Sequence, residues 1–203
     1  MTEIDRLLEQ VQRDVELKGK SGSEAVFLTD VQLRFSSETL EVAPTCDVEG
    51  AICDVSWFFK CAKEGKVVPC GNPDTSFWHK FFGEKVHPYG HTWDIDALKT
   101  HFIDPDTRRG VLINHSDSAC PPCVLCYQFH CSEYGVLDCI ATLRSSDVAN
   151  VLAQDLFMTK LILDEISKMT GFIPGAITFN IGNAHVYYND LQFTEEFILD
   201  YGD

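Results

Sequence analysis

An α+β fold is what the sequence predicts, on three observations. Apolar residues recur at helical spacing in some segments and alternate as in strands in others. The two kinds of segment follow one another without regular βαβ alternation. Residues 123–131 and 136–143 flank a short turn around 132–135, which reads as an antiparallel hairpin.

Each element has its own signal. Residues 3–17 carry Ile4, Leu7, Leu8, Val11 and Val15 on one helical face, with Thr2 as N-cap. Residues 18–24 (KGKSGSE) turn into a β-rich run over 25–35. Ile52, Val55, Phe58 and Phe59 place a helix over 50–62, broken by Gly65. Residues 66–92 mix Pro, Gly, His and aromatics with no period and read as irregular. A short helix over 95–102 closes at Asp104-Pro105-Asp106, and strands follow at 110–114, 123–131 and 136–143. Residues 148–169 have the length and period of the main buried helix, stopped by Gly171 and Pro174, and 175–188 form the last strand region. No repeat, low-complexity tract or linker divides the chain, so 1–203 reads as a single domain.

Sixteen Lys and Arg against 31 Asp and Glu leave a formal net charge of −15 in 203 residues. Such a surface argues against bulk binding to nucleic acid or anionic membrane, while leaving room for a small anion where a few cations converge. The charged N-terminus MTEIDRLLEQ predicts no secretory signal, and no stretch approaches the roughly 18 uninterrupted apolar residues of a membrane span. Nine cysteines, an odd number, fit reduced thiols in a cytoplasm.

The run Cys120-Pro-Pro-Cys123-Val-Leu-Cys126 offers half of a metal-ligand pattern without its complement. There is no second C-x2-C, and Cys131 falls one residue beyond the ferredoxin interval, so no metal is expected. Cys53, Cys126 and Cys139 suit buried structural thiols. Cys123 follows a rigid Pro-Pro and opens a strand, where a thiol can project into a cleft. A nucleophilic thiolate needs a positive neighbour. Arg108-Arg109 on a turn and Arg144-Ser145 at a strand end are the candidates, the second pairing guanidinium with hydroxyl as in a phosphate seat.

Five segments in one collinear order then resemble the thymidylate synthase family. Pro121-Pro122-Cys123-Val-Leu-Cys-Tyr127-Gln128-Phe129 resembles its nucleophile strand. Arg144-Ser145-Ser146-Asp147-Val148 is similar to its Arg-Ser-x-Asp-Val, and Gly182-Asn-Ala-His185-Val-Tyr187 to its Gly-Asp-x-His-x-Tyr. Asp104-Pro-Asp-Thr-Arg108-Arg109 looks like its Asp-Pro-x-Ser-Arg-Arg. Lys20-Ser-Gly-Ser with Val31-Gln-Leu-Arg34-Phe35 looks like its Arg-Thr-Gly-Thr and Gln-Met-Arg-Phe.

The resemblance implies a mixed or antiparallel sheet packed against helices, with one sheet face buried in a homodimer. It implies that Cys123 attacks carbon 6 of a pyrimidine nucleotide and that carbon 5 takes a one-carbon unit from methylene-tetrahydrofolate. The phosphate seat maps to Arg144, Ser145 and Lys20, with Arg108 and Arg109 arriving from the second subunit. Gln128 joins the substrate-binding residues, and His185 and Tyr187 hold the sugar hydroxyl. Asp147 and Trp78 serve the folate, and Tyr89 assists proton removal at carbon 5. Asp54, three residues before Trp57, stands where the family has its catalytic Glu, one methylene short, so a water is expected to bridge the gap.

Departures from the family pattern select the base. Eight residues after Asp147, where the uracil-reading enzymes carry Asn, this chain has Asp155, a feature similar to the phage deoxycytidylate hydroxymethylases of the family. Read as a carboxylate, Asp155 only accepts hydrogen bonds, which suits the cytosine amine and opposes the uracil carbonyl. Val124 replaces the family's His after the nucleophile. Lys20 replaces an Arg, Pro44 a Lys and Val151 a Gly, and the tail Asp200-Tyr-Gly-Asp203 is not apolar. The expected activity is dCMP hydroxymethylation in a cytoplasm, a phage-infected host's if phage-encoded. The alternatives are a dCMP methylase, a dUMP-using synthase and a nucleotide-binding or cysteine-rich metal protein without catalysis.

Overall fold

The computed structural model describes residues 6–7, 10, 25–38, 40, 42–43, 45–82, 89–115, 121–187 and 190. The strands are β1 (Ala25–Ser36), β2 (Val111–Ile113), β3 (Val124–Cys131), β4 (Val136–Leu143), β5 (Ser146–Asp147) and β6 (Ile173–Tyr187). The helices are α1 (Val48–Glu64), α2 (Phe77–Phe82), α3 (Ile95–His101) and α4 (Leu152–Thr170). One six-stranded sheet runs in the order β1-β6-β4-β3-β2, with β5 against β6. β4 and β6 are parallel, joined through α4, while β1–β6, β2–β3 and β3–β4 are antiparallel. The sheet is mixed and the class is α+β, as the pattern predicts.

Both long helices follow from their sequences. In α1, Ala51, Asp54, Val55, Phe58 and Cys61 form the buried stripe, Asp47 caps the start by accepting from Gly50 N, and Gly65 ends it in the left-handed region. In α4, Leu152, Asp155, Leu156, Thr159, Ile162, Leu163 and Ile166 share the buried side, and Gly171 closes it at φ 79°. The stripes place one carboxyl of each helix, Asp54 and Asp155, inside the core.

Two segments depart most from expectation, and a third goes largely undescribed. The 66–92 stretch contains α2, whose six residues are too few to show a period and whose start depends on a partner far away in sequence. The 148–169 helix begins at Leu152, because 148–150 form a turn after the short strand β5. Most of the helix predicted over 3–17, with its Thr2 cap, lies outside the described residues, although Leu7 is buried in the core.

The sheet carries a fault line. Alternation along β1 would put Leu28 and Leu33, five residues apart, on opposite faces, yet both are buried. The switch falls at Asp30, whose φ of 57° departs from extended backbone while the register with β6 runs on unbroken. In β6 the same switch occurs at Gly182, between buried Ile181 and buried Ala184. In β3 it occurs between Val124 and Cys126. Val31 pairs with Ile181, Ile181 with Leu143 and Leu143 with Val124, so these irregularities are neighbours across four strands. A Cβ at Gly182 would stand 3.0 Å from the Arg144 carbonyl oxygen, so a side chain here would press on the end of β4.

Tyr127, Phe129, Leu137, Cys139, Ala141, Ile177 and Phe179 point from one face of the sheet into the core. Gln32, Arg34, Gln128, Asp138, Thr178 and Asn180 alternate with core residues and occupy the other, where Arg34 bonds Thr178 and Asp138 and Gln32 bonds Asn180. Cys139 is buried as predicted; Cys53 and Cys126 are only half-buried, Cys126 because it lies on that second face. Among the described residues no helix is long and apolar enough to cross a membrane.

Candidate active site

Cys123 sits where the fault line meets the start of β3. Its carbonyl accepts from Arg144 N at 2.8 Å, and Arg144 Nη2 lies 3.6 Å from its sulfur. The guanidinium is fixed by Nε donating to Pro121 O at 3.1 Å and Nη1 to Ser145 Oγ at 2.9 Å. A cation so held favours the thiolate. Arg144 and Ser145, joined to the nucleophile through the same turn, make the part of the predicted phosphate seat that the structure describes; Lys20 lies outside the described residues.

Tyr89 and Asp155 complete the cluster. The Tyr89 hydroxyl oxygen accepts from Val124 N at 3.3 Å. Burial, then the nearby Asp155 and Cys123, push the Tyr89 phenol well above its usual range, so it remains protonated. Asp155 is 2% exposed, and neither of its carboxyl oxygens has a hydrogen-bond partner among the described residues. Burial pushes its pKa up to about 8, so at neutral pH it is an uncharged acid. This corrects the carboxylate chemistry expected from sequence: a neutral acid offers one O–H donor and one carbonyl acceptor. An unpaired buried polar group costs free energy in the unliganded fold, and a ligand edge is the natural partner for it.

Asp54 is fully buried on α1 and turned toward the start of α2. Ser76 Oγ donates to its Oδ1 and Trp78 N to its Oδ2 at 3.0 Å. Burial raises its pKa against these bonds. Trp78 packs edge-on against Tyr89, with ring centroids 5.9 Å apart, which links Asp54 to the Cys123 cluster through one side chain. Phe77 and Phe81 stack on the same short helix at 5.6 Å, with Phe81 exposed, and extend the aromatic wall outward from Trp78.

The remaining predicted residues divide. His185 lies on β6 opposite Asp147 of β5, with Nδ1 buried and without a partner among the described residues, and its ring meets that of exposed Tyr187 at 5.3 Å. Asp147 holds Asn150 through N at 3.2 Å and Nδ2 at 3.0 Å, so a folate would have to use its remaining lone pairs. Gln128 is on the sheet face opposite the core, well along β3 from Cys123. Arg108 and Arg109 precede Gly110, which accepts from Phe129 N, so they lie about 20 Å from Cys123 at the other end of β3 by strand rise. One chain does not bring them to the nucleophile. Pro44 and the tail lie outside the described residues.

Sequence reasoning missed two braces. Asn114 Nδ2 donates to Val124 O at 2.9 Å, its N to Leu125 O at 2.9 Å, and its Oδ1 accepts from Trp93 Nε1 at 2.8 Å, holding the β3 irregularity next to the nucleophile. Gln154 Oε1 accepts from Asp47 N and the Cys46 thiol and its Nε2 donates to Asp47 O, pinning the start of α1 to α4 beside Asp155. Neither belongs to a motif; only their polar identity inside apolar segments signals them.

Comparison with known proteins gives a consistent result. A sequence model of thymidylate synthase matches residues 4–199. The chain is 30% identical over 107 residues to the thymidylate synthase of Sphingopyxis alaskensis, covering 50% of this chain and 33% of that protein. It is 28% identical over 124 residues to that of Mycoplasma pneumoniae, covering 55% and 43%. With that of Pseudomonas putida it shares 33% over 108 residues, covering 49% and 33%. The matched stretches thus span less than half the length of each of these relatives.

Proposed function

The chain belongs to the thymidylate synthase family, and from that premise we propose that it transfers a one-carbon unit from methylene-tetrahydrofolate to carbon 5 of a cytidine monophosphate, as a dCMP hydroxymethylase making a modified DNA precursor. The observation that carries the cytosine assignment is Asp155, a buried acid neither of whose oxygens has a hydrogen-bond partner among the described residues. Its O–H can donate to N3 of cytosine while its carbonyl accepts from the exocyclic amine.

The chemistry follows from the cluster. The Cys123 thiolate, held by Arg144, adds to carbon 6 of the base. The displaced electron pair runs through carbon 4 to N3, where it takes the Asp155 proton, leaving a carboxylate and an enamine whose carbon 5 is nucleophilic. Methylene-tetrahydrofolate supplies the one-carbon unit when bound, against the wall formed by Trp78, Phe77 and Phe81. The proton leaving carbon 5 passes to a water held by the oxygen of Tyr89, which burial keeps protonated so that it orients the water and does not act as a phenolate. Asp54, whose carboxyl reaches no surface, serves as acid and base toward the ring through a bridging water. Water adds to the exocyclic methylene left on carbon 5 as tetrahydrofolate departs, giving the hydroxymethyl group; N3 then returns its proton to Asp155 as the Cys123 thiolate is expelled, and Arg108 and Arg109 of a second copy complete the phosphate seat of a homodimer.

A second reading, methylation of dUMP, has one observation in its favour: neutral Asp155 carries a donor and an acceptor, as an amide does. The two part at the proton. In cytosine N3 carries no hydrogen and can take the Asp155 proton, whereas in uracil N3 carries one and would donate to the Asp155 carbonyl, leaving the O–H for O4. Mass analysis of products from dCMP, CMP and dUMP with methylene-tetrahydrofolate tests both readings. Hydroxymethyl-dCMP supports the first; thymidylate as the main product overturns it.

A further inference from the structure

We propose that Ser76 and His79 form a proton path connecting buried Asp54 to solvent; the catalytic use of that path rests on the function proposed above. Asp54 has no exposed surface, so any proton it gains or loses must travel through a hydrogen-bonded neighbour. One such neighbour leads outward. The Ser76 hydroxyl donates to Asp54 Oδ1, and its oxygen accepts from His79 N at 3.1 Å and stands 3.0 Å from His79 Nδ1. His79 in turn packs on Trp57, with ring centroids 5.0 Å apart, and lines a cleft of about 460 Å³ with Trp57, Val68 and Cys70, whose rim residues Val67, Pro69 and Pro73 are exposed.

The Ser76 hydroxyl has one proton and two lone pairs, and this arrangement uses all three. With Asp54 ionised and His79 doubly protonated, Nδ1–H donates to Ser76 and Ser76 donates to Asp54. Reversing both bonds moves one proton from Nδ1 to the serine oxygen and the serine proton to Asp54. The result is neutral imidazole and a carboxylic acid, with no atom displaced and no charge left unbalanced. His79 then recovers its proton from water in the cleft. The other ionisable groups that face Asp54 are Lys80 of α2 and Cys53 of its own helix. Lys80 donates to Asp47 and the Cys53 thiol to Asn72 O, so among the described residues the Ser76–His79 pair is the connected route.

Three variants test the path. Ser76→Ala removes the link, Ser76→Thr keeps the hydroxyl and the cap of α2, and His79→Ala opens a space next to a cleft that admits imidazole. His79→Ala should lower kcat for dCMP by at least about tenfold while leaving nucleotide affinity within about twofold, and added imidazole should restore most of the loss. Ser76→Thr should stay near wild type, and Ser76→Ala should resemble His79→Ala without rescue. Independently of turnover, the infrared carboxyl band of Asp54 in the resting protein should persist to higher pH in Ser76→Ala, because a donor to the ionised form is gone. A kcat loss that imidazole does not restore, or an Asp54 titration identical in all variants, overturns the path. If the wild-type protein turns over neither dCMP nor dUMP, the functional reading fails, and the infrared titration alone decides the link.

Discussion

Arg144 grips Cys123 twice, by its backbone N–H to the Cys123 carbonyl and by a guanidinium nitrogen 3.6 Å from the sulfur. The backbone bond fixes where the Arg144 side chain starts, and the bonds of Nε to Pro121 O and Nη1 to Ser145 Oγ hold the guanidinium against the thiol. Gly182 guards the same turn from the other side.

The first prediction concerns this pair. Arg144→Ala should slow alkylation of Cys123 by iodoacetamide near neutral pH by about tenfold, because the thiolate loses its cation. Cys123→Ser should abolish turnover while keeping nucleotide affinity within about tenfold, since a hydroxyl is a far weaker nucleophile. Unchanged alkylation in Arg144→Ala would show that the guanidinium serves only the phosphate.

The second prediction uses the protonation of Asp155. Its folded pKa stands at about 8, above the value of 3.8 expected when unfolded. Between those values the native state holds a proton that the unfolded chain has lost, so stability falls as pH rises, by about 1.4 kcal/mol per unit for one such group. The full contribution is present below about pH 4 and gone above about pH 8. Asp155→Asn removes the dependence: melting curves of the two proteins should lie close near pH 5 and separate in favour of the Asn variant by pH 8.

Much of this was open to reading from sequence, for reasons that particular residues make plain. Helix α1 shows its period and its Gly65 stop, and the hairpin of β3 and β4 shows its turn, because those signals are local. Helix α2 does not, since its Ser76 cap is supported by Asp54, 22 residues earlier. The fault line is also hidden, because a phase switch at Asp30 makes sense only against Gly182 on the neighbouring strand.

The site divides in the same way. Cys123 and Arg144 stand out as residues and Asp155 through the resemblance to the family, but the charge on Asp155 depends on what α4 buries it against, and no motif reports that. Arg108 and Arg109 were recognisable as a pair, while their distance from Cys123 needed the register of β2 on β3.

The third prediction separates binding from proton transfer. In Asp155→Asn the amide can still donate to N3 and accept from the cytosine amine, so dCMP affinity should stay within about tenfold. It has no proton to give, so kcat for dCMP should fall by at least about a hundredfold, the usual scale for a lost general acid. Turnover of dUMP should hold or rise slightly, and the kcat/KM ratio should swing toward uracil. Parallel losses in affinity and kcat would mean that Asp155 only shapes the pocket.

The fourth prediction concerns assembly. Arg108 and Arg109 sit at the end of β3 remote from Cys123, so if they serve a phosphate bound beside Cys123, that nucleotide lies on another copy of the chain. An Arg109→Ala protein and a Cys123→Ser protein should each be inactive alone. In a mixed dimer, the intact Cys123 of the first subunit receives the intact Arg109 of the second, and one site is whole while the other lacks both groups. Equal mixing by dissociation and reassembly gives half mixed dimers, so activity should return to on the order of a quarter of wild type, as two-fold symmetry requires. If Arg109 instead acted within its own chain, every site in the mixture would lack one group. Mixed dimers verified by mass but devoid of activity would therefore exclude the shared site.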